Sequence, residues 1–189
     1  MNQPLSIQPQ RLEDSIQELG RIGSCLDDSS GLLGVNRLAL TAADGEGRRH
    51  VVAKMKALGM SVTIDRIGNV YARRSGRDDS LAPVMMGSHI DSVPTAGKFD
   101  GCLGVLGALE IIHTLEDAQR VTRRPLVVAF FTDEEGSRFG TDMLGSAVAT
   151  GRLSLAEVYG YTDRAGLSVE GELRKLGSLG AGEEKLTPP

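Results

Sequence analysis

The sequence predicts an α/β fold, a three-layer α/β/α sandwich around a largely parallel mixed sheet, and three observations carry that expectation. Residues 126–132 are apolar throughout and strand-like in length, as a central strand covered on both faces should be. The segments follow one another as helix, two strands, loop, strand, helix, strand, helix, the order of a layered α/β domain. Two of the strand candidates end abruptly in acidic residues, one of them also in a histidine, which is the usual plan of a site at the strand ends of an open sheet.

Taken in order, Leu12, Ile16 and Leu19 have helix spacing and Gly20 is a natural stop, so a peripheral helix is expected over 10–20. Residues 31–40 read as irregular. Thr41 followed by Asp44 is an N-terminal cap pattern, opening a helix over 42–58 that Gly59 ends. Alternating β-branched and aromatic residues predict two short strands, 61–67 and 69–73, broken at Gly68. A polar loop leads to a buried strand over 84–87, and 103–115 has the length and apolarity of a helix packed on a sheet. Pro125 marks the entry to the strand 126–132. The last two strands and the helix between them form a right-handed βαβ unit, so their C-terminal ends share one rim whether or not they are neighbours. Short helices are expected over 143–150, at SLAEV, and at LSVEGELRKLG with Ser168 as cap; the end, SLGAGEEKLTPP, is linker-like in composition.

Composition bounds the function. A chain of 189 residues, 40% hydrophobic and 24% charged, supports one domain with a core. A net charge of −4 without a basic cluster argues against nucleic acid or an anionic membrane as partner. No run approaches the roughly 20 apolar residues of a membrane span, and the start lacks a signal-peptide layout, so the protein is expected in the cytoplasm. Cys25 and Cys102 are then expected as unpaired packing residues. Cys102 opens a helix after Gly101, but no histidine is evidently dedicated to activating it as a nucleophile.

The chemistry gathers at the two strand ends. His89 and Asp91, two apart in an extended stretch, face the same way, so Asp91 can accept a hydrogen bond from the imidazole nitrogen that holds no metal. Asp100 stands at a helix start, where its carboxylate can reach a metal. Of the neighbouring Glu134 and Glu135, one can bind a metal while the other stays free as a proton acceptor, the division that metal-assisted hydrolysis needs. Asp133 reads more simply as a solvated surface charge or helix cap, and His113 as an ordinary helix residue.

GSHIDSVPTAGKFDG, followed by VVAFFTDEEGSRF and MLGSAVATGRL, resembles the amidohydrolase branch of the M20 metallopeptidases, whose members hydrolyse N-carbamoyl-L-amino acids, β-ureidopropionate or allantoate. The likeness runs from about Arg37 to Gly177. It implies a zinc-exopeptidase-like catalytic domain with two divalent ions, zinc or manganese. In it His89 binds one metal, Asp100 bridges both and Glu135 binds the second; Glu134 is the general base and Asp91 orients His89. A linear, non-peptide C–N bond is the expected target, most closely that of an N-carbamoyl-L-amino acid, yielding ammonia and carbon dioxide, with allantoate as the alternative. The small ureido compound is the expected partner, in a homodimer.

The same likeness implies an N-terminal segment of the catalytic domain. Members are longer, carry a lid and dimerisation domain, and complete their metal shells with two further histidines. His50 and His113 lie in the wrong motifs for that. Each metal would have two protein ligands here, one shared, where three is the ordinary minimum for a catalytic zinc. The competing expectation is a truncated gene product that is inactive, binding metal weakly or pairing with another subunit.

Overall fold

The computed structural model describes residues 4–182. Helix α1 (Pro9–Arg21) starts with proline, whose missing N–H costs nothing there, and buries Ile16 and Leu19. A hairpin of β1 (Ser24–Leu26) and β2 (Leu33–Val35) follows in a region expected to be irregular in its second half. These three-residue strands expose Leu26, Leu32 and Leu33, so they carry no alternation of buried and polar residues to announce them. Helix α2 (Ala42–Ala57) opens as expected, with Thr41 Oγ1 accepting from the Asp44 N–H.

Strands β3 (Ser61–Ile64), β4 (Val70–Arg74), β5 (Val84–His89) and β6 (Leu126–Phe131) form one sheet in the order β3-β4-β6-β5. Helix α3 (Cys102–Asp117) connects β5 to β6, which pair in parallel as immediate neighbours. The sheet is mixed, as predicted. Its described pairings are mostly antiparallel, however, since β3–β4 and β4–β6 both run that way. The tight turn at Asp65–Gly68 accounts for the first, since so short a connection joins only antiparallel strands; the second follows from the strand order, which sets β4 beside β6.

Alternation along the strands divides the core. Val70, Ala72, Leu126, Val128 and Phe130 pack with Val51 and Met55 of α2 and with Val105, Leu109 and Ile112 of α3. The opposite parity, Tyr71, Val127 and Ala129, forms a smaller cluster with Met85 and Phe131. Helices α4 (Leu144–Ala149), α5 (Leu155–Tyr159) and α6 (Val169–Leu176) enclose a third cluster with Leu40, Ile67 and Phe139. No helix among the described residues is long and apolar enough to cross a membrane.

Two glycines fix close approaches. A Cβ at Gly87 would collide with the carbonyl oxygen of Ala129 on β6. Gly87→Ala should therefore push β5 off its neighbour and lower stability by more than the usual overpacking cost of about 1–3 kcal/mol, measured by urea unfolding. The second is Gly180, in a stretch whose composition reads as linker. Instead the Gly180 and Gly182 N–H groups donate to Asp65 and Ile64 carbonyls beside β3, an approach only glycine allows at 180. The rest of that tail, 183–189, lies outside the described residues.

Candidate metal centre

The parallel pairing sets His89 opposite Phe131, so the ends of β5 and β6 share one rim. The chain leaves β5 under the control of Arg37, a fully buried side chain that sequence reasoning passed over. Its Nε donates to the Ile90 carbonyl at 2.7 Å, and its main chain exchanges bonds with Ser92. Its Nη1 caps the end of α1 through the Leu19 and Ile22 carbonyls. An arginine set among Val35, Leu38 and Leu40 was the available signal. Arg37 Nη2 also donates to Cys102 Sγ at 3.1 Å, and burial pushes that thiol up, which suits packing rather than nucleophilic attack.

The rim gathers His89, Asp100 and Glu135, whose ligand atoms all lie within 4.8 Å of one another. His89 is buried, while Asp100 is 73% exposed and Glu134 35% exposed, so the cluster opens outward. Glu134 Oε2 comes within 3.3 Å of His89 Nε2. Gly101, with φ of +62°, leaves room for the ring: a Cβ there would stand 2.5 Å from His89 Nε2.

The imidazole is oriented differently from the sequence expectation. His89 Nδ1 lies 3.0 Å from the Asp91 main-chain oxygen and 3.7 Å from its carboxylate. A carbonyl can only accept, so Nδ1 carries a proton, which leaves Nε2 facing the acidic groups of the rim. The Asp91 carboxylate is drawn instead to the end of β6, where it accepts the N–H groups of Glu134 and Glu135, each at 3.3 Å.

Asp133 is not the solvated charge or helix cap that its position suggested. It is 1% exposed, in a left-handed conformation (φ 51°), and neither carboxylate oxygen has a partner among the described residues. Burial, then the charges of Asp91 and Asp44, push it up to about 8. Burial likewise raises Asp91, to about 6, and Glu135. Arg48 offsets part of this field: it pairs with Asp44 at 2.7 Å and donates to the Gly68 carbonyl and to Thr132 Oγ1 just below the site.

One imidazole nitrogen facing the rim and the carboxylates of Asp100 and Glu135, the latter with a buried Oε1 that has no partner among the described residues, form a donor set that fits a divalent cation. His50 and His113 lie outside it, on α2 and α3.

A family model described as peptidase family M20/M25/M40 matches residues 85–175, which hold the whole cluster. An N-carbamoyl-L-amino-acid amidohydrolase of Rhizobium meliloti is 42% identical over 170 residues, 90% of this chain and 40% of the relative. The chain belongs to the M20 family. A ureidoglycolate hydrolase of Arabidopsis thaliana is 35% identical over 181 residues, 37% of its own length. The solved hydantoinase/carbamoylase family amidase of Burkholderia ambifaria superposes on this M20 chain with a TM-score of 0.88 at 43% identity, covering 94% of this chain and 43% of that one. The chain thus spans about two fifths of the length of the curated relatives it matches, 40% for the Rhizobium protein.

Proposed function

We propose that the protein is a divalent-metal-dependent amidohydrolase that cleaves the carbamoyl C–N bond of N-carbamoyl-L-amino acids, releasing ammonia, carbon dioxide and the amino acid. The observation that carries this is the convergence of His89, Asp100 and Glu135 within 4.8 Å, with Glu134 beside them. The substrate class is supported by likeness to N-carbamoyl-L-amino-acid amidohydrolases.

His89 Nε2, Asp100 and Glu135 would hold the metal, with Asp100 shared between two ions of zinc or manganese type. The metal supplies Lewis acidity, polarising the carbamoyl oxygen and making water easier to deprotonate. Glu134, more exposed than His89 and not assigned to the metal, takes the proton from the attacking water and returns it to the leaving nitrogen. The main-chain oxygen of Asp91 keeps the proton on His89 Nδ1. The exposure of Asp100 leaves the rim open to a substrate and to further ligands.

The segment 1–189 is proposed as the N-terminal part of the catalytic domain, with the lid, dimer contacts and remaining metal ligands in the rest of the protein. We further propose a cytoplasmic homodimer acting on a small ureido compound; the net charge of −4 argues against nucleic acid or an anionic membrane as partner. Ureidoglycolate is the second reading, favoured by the Arabidopsis relative and by a likeness at TM-score 0.83 to the crystal structure of AtUAH in complex with glyoxylate.

Ammonia release by the complete protein from N-carbamoyl-L-amino acids, ureidoglycolate and allantoate tests the assignment, and no turnover of any of them would overturn it. Glu134→Gln should lower turnover by about 10²–10⁴-fold, the typical worth of a general base, while metal content stays unchanged. Retained turnover would remove Glu134 from that role.

A further inference from the structure

We propose that the carboxylate of Asp91 is the positioning group for Glu134 and Glu135, gripping both through their main-chain N–H groups. This rests on the reading of the rim as a metal site, and assigns to the carboxylate a task separate from orienting His89. That orientation is already met by the Asp91 main-chain oxygen, 3.0 Å from Nδ1. The carboxylate is then free to bridge the two strand ends. Oδ1 accepts from Glu134 and Oδ2 from Glu135, one N–H to each oxygen.

Three features argue that this bridge is built rather than incidental. Asp133 is left-handed directly before the two glutamates, and such a residue turns successive N–H groups the same way, the backbone arrangement that receives anions. Asp91 is 2% exposed, and within hydrogen-bond distance its carboxylate meets only these N–H groups among the described residues. Burying a carboxylate is costly, so its retention requires hydrogen-bond donors at both oxygens. Asparagine would present an NH2 group to one of the two N–H groups and lose that bond. The carboxylate therefore fixes where the Glu135 ligand and the Glu134 base leave the backbone, tying both to the strand that carries His89.

The test uses the complete protein with Zn2+ or Mn2+ alone. In the wild type, scalar coupling from the Glu134 and Glu135 amide nitrogens to the Asp91 carboxyl carbon should be detectable by NMR. Its absence would overturn the proposal without any variant being made. Asp91→Asn should speed amide exchange at Glu134 and Glu135, leave the Val128 and Phe130 amides protected, and weaken metal binding by about 10–100-fold, the usual cost of losing an outer-shell partner. If the substitution acted only by removing charge near the metal, exchange at the two glutamates would not change, and that result also overturns the proposal. His89→Ala separates the two levels. Should it abolish binding while Asp91→Asn binds like the wild type, the site stands and the positioning role falls. Should His89→Ala bind like the wild type, the metal site itself is wrong and the proposal goes with it.

Discussion

Placing alanine at position 101 is expected to abolish metal binding while leaving the chain folded. The Cβ would stand 2.5 Å from both Cε1 and Nε2 of His89, on the edge of the ring that faces the rim. The ring cannot give way by swinging outward without breaking the 3.0 Å bond from Nδ1 to the Asp91 carbonyl, which fixes its tautomer. The backbone adds its own cost of about 1–2 kcal/mol, because φ at Gly101 is +62° and alanine disfavours the left-handed region. Loss of the imidazole removes a direct ligand, so affinity should fall by more than the roughly 100-fold that marks the worst outer-shell losses. Gly107→Ala is the control. It lies in α3 with no atom within 4 Å of a new Cβ, and should gain about 0.5–1 kcal/mol from helix propensity with metal binding intact. Isothermal titration with Zn2+ on both variants decides it; wild-type affinity in the alanine-101 chain would sink the account.

The second large effect concerns stability. Asp133→Asn should make the metal-free chain more stable near neutral pH by a few kcal/mol. The Asp133 carboxyl is pushed up to about 8, mainly by burial and then by Asp91 and Asp44. An acid that ionises less readily folded than unfolded binds its proton more tightly in the native state. Its contribution is neutral at low pH and becomes a penalty as pH rises through the unfolded value of about 3.9, growing until the folded value is passed. Asparagine keeps the shape and never ionises. The variant's advantage should therefore be small at pH 4 and reach its maximum near pH 8. Urea midpoints across that range measure it, and an advantage equal at both ends would refute the burial argument.

Much of this cluster was legible because its polar side chains interrupt strong patterns. His89 ends β5 and the Asp133–Glu135 run comes just after the buried β6, so polar groups stand out where each strand runs out; β5 itself, expected to be buried over 84–87, is instead a partly exposed edge strand, with Val84 47% exposed. The helices were legible for the same reason, with Thr41 and Ser168 capping as their spacing indicated. What was not legible involves main-chain groups and long-range neighbours. The bond to His89 Nδ1 ends on a carbonyl, and the Asp91 carboxylate binds two N–H groups, neither of which any residue letter records. Asp133 looks exposed beside two glutamates; only its left-handed backbone turns it inward. The antiparallel majority arose from strand order, since β4 comes to lie beside β6 across more than fifty intervening residues. The β1–β2 hairpin escaped notice because its leucines face outward and Val35 alone in its strands is buried, too little to form a pattern.

His89, Asp100, Glu134 and Glu135 all belong to the stretch that runs from β5 through α3 to just past β6, and the remaining strands of the sheet precede it in the chain. A ribosome that has released residue 135 has already made these four side chains, and α4–α6 follow afterwards. Because domains acquire structure from the N-terminal side during synthesis, the β5–β6 pairing that brings these side chains together can form while translation is still under way.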